Sequence, residues 1–155
     1  MNNVLELNRL LMAASVFRIE HSGWAGTGLA LGWRMTLPHH SLIAWQRADD
    51  LFIDLHILSR TFPPLERFEL ASQLRRSAFS VPANIAEDFG RHKAGEKLQF
   101  LQVAHGSLAE VGYCLHAAKR LGYIEDSVYL KFELRIRRTS APLRGLMKSM
   151  GREHP

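Results

Sequence analysis

Paired acids, histidines and a single thiol are the side chains here whose types and spacing could do chemistry. Asp50 and Asp54 lie one helical turn apart, as do Asp88 and His92, so either pair could touch a cation. Neither brings the third and fourth ligands that a stable site needs, so both read as solvated polar faces and no metal is expected. Helical di-iron proteins use Glu-x-x-His pairs, because residues three apart project from one helix face. The positions three before the eight histidines are instead Arg18, Thr36, Leu37, Ile53, Phe89, Gln102, Tyr113 and Gly151. His39 and His40 read as an exposed loop pair, and His105 and His116 as boundary residues of a helix. Cys114, the only cysteine, has no cationic helix terminus to activate it and reads as a buried or boundary thiol. No Gly-x-Ser-x-Gly elbow, Walker loop or His-Glu-x-x-His occurs. The expectation is a non-enzymatic protein without cofactors; a metal-dependent nuclease built on Asp50, Asp54 or His56 is the weakest alternative.

What remains is charge. Lys and Arg number 20 against 15 Asp and Glu, a net +5 that favours acidic partners, nucleic acid above all. The C-terminal helical stretch holds Lys131, Arg135, Arg137, Arg138, Arg144 and Lys148, and the region before it holds Arg67, Arg75, Arg76, Arg91 and Lys93. Beyond Ser127 that helix has only Glu133 as an acid, so its own one-turn ion pairs cannot neutralise it and phosphates or an acidic neighbour must. The competing reading bridges these arginines to Glu66, Glu69, Glu87, Glu96 or Glu110, with equal weight for Arg75 and Arg76. The expected nucleic-acid-binding set is Arg75, Arg76, Arg91, Lys93, Lys131, Arg135, Arg137, Arg138 and Arg144. Recognition would be of backbone, since no helix-turn-helix, zinc finger or aromatic RNA-binding strand motif occurs.

The elements that must position these residues follow from periodicity. At 155 residues, 46% hydrophobic and 23% charged, the chain has the composition of one folded domain. Apolar stripes spaced three and four apart predict four helices. The first carries Trp45, Ala48, Leu51, Leu55, Leu58 and Phe62 and ends at Pro63-Pro64, where the second opens. The second carries Ala71, Leu74, Ala78, Val81 and Ile85, is kinked by Pro82, and stops at Gly90 in a left-handed conformation. The third carries Leu101, Ala104, Leu108, Val111, Leu115 and Ala118, closed by a Gly122 cap with Tyr123 and Ile124. The fourth starts near Asp126 or Ser127, carries Val128, Phe132, Ile136, Thr139, Leu143, Leu146 and Met150, and is bent by Pro142. Short connections make neighbours antiparallel, giving an all-α, up-and-down four-helix bundle over 41–151. Residues 1–40 read as an N-terminal extension outside it, flexible or weakly helical around Leu7 to Phe17, with 1–34 dispensable. The uncharged stretch before Arg34 is too short to span a bilayer and no signal peptide is evident, so the expected location is cytoplasmic, without membrane contact.

The densest local sequence runs Gln73-Leu74-Arg75-Arg76-Ser77-Ala78-Phe79-Ser80-Val81-Pro82-Ala83-Asn84-Ile85-Ala86-Glu87-Asp88-Phe89-Gly90-Arg91. Ser80, Asn84 and Glu87 fall within two turns of Pro82 and read as a structural polar network serving backbone groups freed by the proline or holding Arg76 or Arg91. With Gly106-Ser107-Leu108-Ala109-Glu110, Leu121-Gly122-Tyr123-Ile124, Trp45-Gln46-Arg47-Ala48 and Phe62-Pro63, this segment resembles the bacterial four-helix-bundle family encoded by intervening sequences in 23S ribosomal RNA genes. That family is similar in turn to the accessory variability determinant of diversity-generating retroelements. The resemblance covers residues 41 to 150. It implies a homo-oligomer, a pentamer with a basic surface, that works with nucleic acid and a reverse transcriptase. Three departures stand out: the extension, Asp88 where the family usually has Gly, and Pro142. Asp88 is expected to weaken anion binding at Arg91, and Pro142 to alter a subunit contact.

The sequence thus supports an oligomeric bundle that binds RNA or DNA through arginines with little sequence preference. The alternative is a structural adaptor that docks an acidic protein such as a reverse transcriptase.

Overall fold

A computed structural model describes residues 37–91 and 93–150. The chain divides into Met1–Met35 and Thr36–Pro155, and every described residue belongs to the second unit. Residues 1–36 of the expected extension, with its weak helix, lie outside the described residues, while Pro38–Ser41 forms a 3-10 turn leading into the bundle.

Four helices carry the fold: α1 (Ile43–Leu58), α2 (Leu70–Phe89), α3 (Ala94–Arg120) and α4 (Asp126–Met150). No strand occurs among the described residues. Each helix packs on the next in chain order and α4 closes against α1, which makes the antiparallel bundle. The core is the set of stripes legible in the sequence. Leu51, Leu55 and Leu58 of α1, Leu74, Val81 and Ile85 of α2, Leu101, Leu108, Val111 and Leu115 of α3, and Phe132 and Leu143 of α4 are all buried. Each fully buried leucine contributes about 2 kcal/mol, so the shared core rather than any one helix's propensity holds the fold. None of the described helices is long and apolar enough to cross a membrane.

The connections differ in how they are closed. After α3, Gly122 adopts φ 75°, its N–H bonds the Lys119 carbonyl at 3.0 Å, and the Tyr123 N–H bonds the Ala118 carbonyl at 2.9 Å. These paired bonds close the expected glycine cap, and Ile124 beyond it is buried. The start of the second helix departs from expectation. Pro64–Phe68 forms a 3-10 turn, and α2 begins only at Leu70, whose N–H is accepted by Glu66 Oε2 at 3.2 Å. Gly90 also departs, having φ −77° and ψ −8° in place of a left-handed stop. Its N–H reaches the Glu87 carbonyl at 3.0 Å, so a tight turn in the right-handed region already satisfies that end.

Both prolines sit inside helices without ending them. Pro142 leaves the Arg138 carbonyl without its usual N–H donor. Arg47 Nη1 supplies one from α1, 2.7 Å from that oxygen, so the bond tying α4 to α1 is located by the proline itself. Asp88 is the larger surprise. Expected beside Arg91 at the surface, it is only 2% exposed, because it falls on the inward side of α2 one turn beyond Ile85.

Candidate nucleic-acid interface

The arginines expected to bind phosphate are held in four different ways. On α4, Arg135 is ion-paired to Asp54 of α1, with its side chain 24% exposed and its guanidinium over the Phe132 ring at 5.8 Å. Burial pulls the Arg135 pKa below its usual value, and the charge of Asp50 opposes that fall. Arg137 donates to Glu133 Oε1 at 2.6 Å, one turn back along the same helix, and stays 75% exposed. As expected, the helix's own one-turn pairs do not neutralise this face: Glu133 pairs one arginine and an acid of the neighbouring helix pairs another. Each pairing removes a guanidinium from the freely available set.

Arg91 and Lys93 are paired as well. Arg91 Nη2 meets Glu87 Oε1 at 2.5 Å and its guanidinium lies 5.0 Å from the Phe100 ring centroid, while Lys93 lies 3.9 Å from Glu96. Arg75 and Arg76 do not bridge directly to any of the expected acids. Arg75 bonds Ser59 Oγ at 3.2 Å and the Arg67 carbonyl at 2.8 Å, both uncharged. Arg76 donates to the Gln73 side chain, which in turn donates to Glu110, so a neutral amide stands between the charges.

Lys131, Arg138, Arg144 and Lys148 remain. All are exposed on α4, and among the described residues none has a carboxylate within 4.0 Å. They span some five turns of helix, roughly 25 Å of axis. Arg138 also borders a cleft of about 310 Å³ with Arg47, Asp50, Arg135 and Thr139. Leu130 and Leu134 share this outer side of α4, at 60% and 50% exposure.

The expected polar network is brought together in part. Asn84 Nδ2 donates to the Ser80 carbonyl at 2.7 Å and lies 3.0 Å from Ser80 Oγ, while the Ser107 hydroxyl donates to Ser80 Oγ at 2.8 Å. Glu87 stands apart with Arg91, because it points outward from α2 at 50% exposure. The network serves the carbonyl of Ser80, not that of Ala78, which Pro82 leaves without a donor. Ser107 and Arg47 are the members that residue spacing missed: each acts across a helix pair, and only docking shows which residue it faces.

Histidine and acid placements are mixed. His39 and His40 are half-buried in a 3-10 turn, Pro38–Ser41, not an open loop. His40 stacks on Trp45 with ring centroids 4.6 Å apart, and burial lowers the His39 pKa. Burial raises the Cys114 thiol pKa. It raises the Asp88 carboxyl pKa too, against a smaller opposing effect of Lys97, and Asp88 Oδ1 has no hydrogen-bond partner. Among the described residues no group of three or more His, Cys, Asp or Glu could hold a metal ion. His92 lies outside the described residues.

Residues 40–145 match the family described as 23S rRNA-intervening sequence protein. A solved structure, described as a protein with unknown function from the S23 ribosomal protein family of Bacteroides thetaiotaomicron, is similar at a TM-score of 0.64 and 20% identity. The similarity covers 68% of this chain and 96% of that one and shows a shared fold. No curated protein matches the chain.

Proposed function

The chain belongs to the 23S rRNA-intervening sequence protein family, and from that premise we propose that it is a non-enzymatic, oligomeric bundle that binds the backbone of RNA or DNA along α4. The observation that supports this reading is the row Lys131, Arg138, Arg144 and Lys148, exposed on one helix and without acidic partners among the described residues. Unpaired surface cations gain most from a polyanion, because each phosphate contacted releases a condensed counterion. The row carries no helix-turn-helix or zinc-finger motif to seat it in a groove, so the preference expected is for backbone over base sequence.

Titration of fluorescent RNA and duplex DNA against the whole chain between 50 and 200 mM salt tests this. For about four contacts the logarithm of affinity for duplex DNA falls with log salt at a slope of about −3 to −4. Arg138→Glu weakens binding to all sequences alike. Absence of binding at 50 mM salt, or an affinity indifferent to salt, overturns the reading.

Leu130 and Leu134 favour a second one. An apolar pair flanked by cations suits an acidic protein partner, a polymerase for example, better than it suits phosphate. Leu130→Ser with Leu134→Ser separates the two, since it spares nucleic-acid affinity and abolishes capture of such a partner.

A further inference from the structure

Where α1 turns into α2, a concave pocket of about 480 Å³ is lined by His56, Ser59, Arg60, Phe62, Arg67 and Arg75. Three arginines line this pocket, the Arg67 guanidinium lying over the Phe68 ring at 5.5 Å, and among the described residues none has a carboxylate within 4.0 Å. Arg75 is fixed by neutral dipoles. Its Nη1 donates to Ser59 Oγ and its Nη2 to the Arg67 carbonyl, and Ser59 is itself anchored by donating to the His56 carbonyl at 2.7 Å. Such partners hold the fork without cancelling its charge, and they leave three of its five N–H groups free to donate.

Glu66, next to Arg67 in the chain, is engaged elsewhere. Glu66 accepts the Tyr123 hydroxyl at 2.8 Å through Oε1 and the Leu70 N–H through Oε2. The Glu66 hydrogen bond, with burial, raises the Tyr123 pKa. The turn thus engages Glu66 away from its arginines.

We propose that this pocket binds a phosphate monoester, whether the end of a nucleic-acid strand or a free mononucleotide. A terminal phosphate carries up to two charges and three open oxygens, which suits several guanidinium forks meeting in one concavity better than a diester with two. The volume exceeds a phosphate group, and Phe62 offers an apolar wall for an attached sugar or base. The site lies apart from the α4 row and stands or falls independently of the function proposed for it.

Calorimetric titration of the whole chain with 5′-AMP, inorganic phosphate and adenosine tests the site. AMP and phosphate bind and compete, and adenosine does not. Arg75→Gln weakens AMP about tenfold, as expected for losing a charged donor, and Arg138→Gln leaves it unchanged. Exposed Arg60→Gln and Arg67→Gln, which leave the Arg75 anchors in place, each weaken it severalfold and guard against an unfolded Arg75 variant. Oligonucleotides with a 5′-phosphate or a 5′-hydroxyl then decide the source. A phosphate-dependent preference lost in Arg60→Gln identifies a strand end, and binding of AMP alone identifies a free nucleotide. Equal binding of AMP and adenosine, or full AMP affinity in both Arg60→Gln and Arg67→Gln, overturns the proposal.

Discussion

Helix α4 and the α1–α2 corner are both rich in arginine, yet they differ in what holds the charge. On α4, Arg135 and Arg137 each have a carboxylate, one from α1 and one from a turn away. At the corner, among the described residues, Arg75 is held by a hydroxyl and a carbonyl, while Glu66 bonds Tyr123. A guanidinium fixed by dipoles keeps its full charge for a ligand, whereas one fixed by a carboxylate has spent most of it. Counting basic residues along a sequence therefore misses how each one is held: among the described residues the longer run is the more compensated, with two of its six cations paired.

Placing an acid at the corner breaks that contrast most severely. Arg67→Glu puts a carboxylate beside Arg75 and makes the pocket resemble the paired part of α4. AMP affinity should fall by roughly thirtyfold, the scale of reversing one partly screened charge, while nucleic-acid affinity at α4 falls far less. Parallel titrations of both ligands check this. Equal losses at the two regions would show that net charge alone governs binding.

Asp88 is the mirror case, a buried acid with no cation within 4.0 Å among the described residues, where the corner has cations with no such acid. Its carboxyl pKa is raised above 3.8, first by burial, with Lys97 opposing. Below pH 3.8 the group is protonated in both the folded and unfolded chain and carries no penalty. As pH rises through 3.8 the unfolded chain releases its proton while the folded chain keeps it, so stability falls until the folded carboxyl ionises and then levels off. Asp88→Asn removes that fall. The variant should be more stable by about 1–2 kcal/mol at pH 7 and nearly equal at pH 3, by urea unfolding at each pH. A constant difference across that range would mean that folding does not shift the pKa of this carboxyl.

How much of this was legible in the sequence depends on how far each partner lies. The apolar stripes repeat within a helix, so Leu51, Leu55, Leu108, Val111 and Leu115 were readable as core from spacing alone. The Gly122 cap was readable for the same reason, since all its bonds close within six residues. Asp88 was misplaced because charge suggested surface, although its spacing from Ile85 puts it inside. Arg47 with the Arg138 carbonyl and Arg135 with Asp54 could not be read at all, for their partners lie on another helix and depend on the rotation and register of docking. The corner was hidden differently. Arg67 and Arg75 were visible as residues, but that Glu66 turns away from them follows only from the position of Tyr123.

The smallest effects come from unlocking the α4 pairs, and their difference sharpens the contrast within that helix. Asp54→Ala strands a guanidinium only 24% exposed, with a cost of about 1 kcal/mol after allowance for screening, since Asp54 itself is 44% exposed. Glu133→Gln releases Arg137, already 75% exposed, and should cost no more than about 0.3–0.5 kcal/mol, the usual worth of a one-turn pair. Binding should respond in the opposite sense. A released Arg137 can reach phosphate without rearrangement, so Glu133→Gln steepens the salt slope for duplex DNA by about 0.9. Arg135 stays against Phe132, so Asp54→Ala steepens it by less. Urea unfolding and salt titration of both variants check the pair. Equal stability losses would mean that burial of the guanidinium does not set the strength of these bridges, and an unchanged slope in Glu133→Gln would place the nucleic acid away from this part of α4.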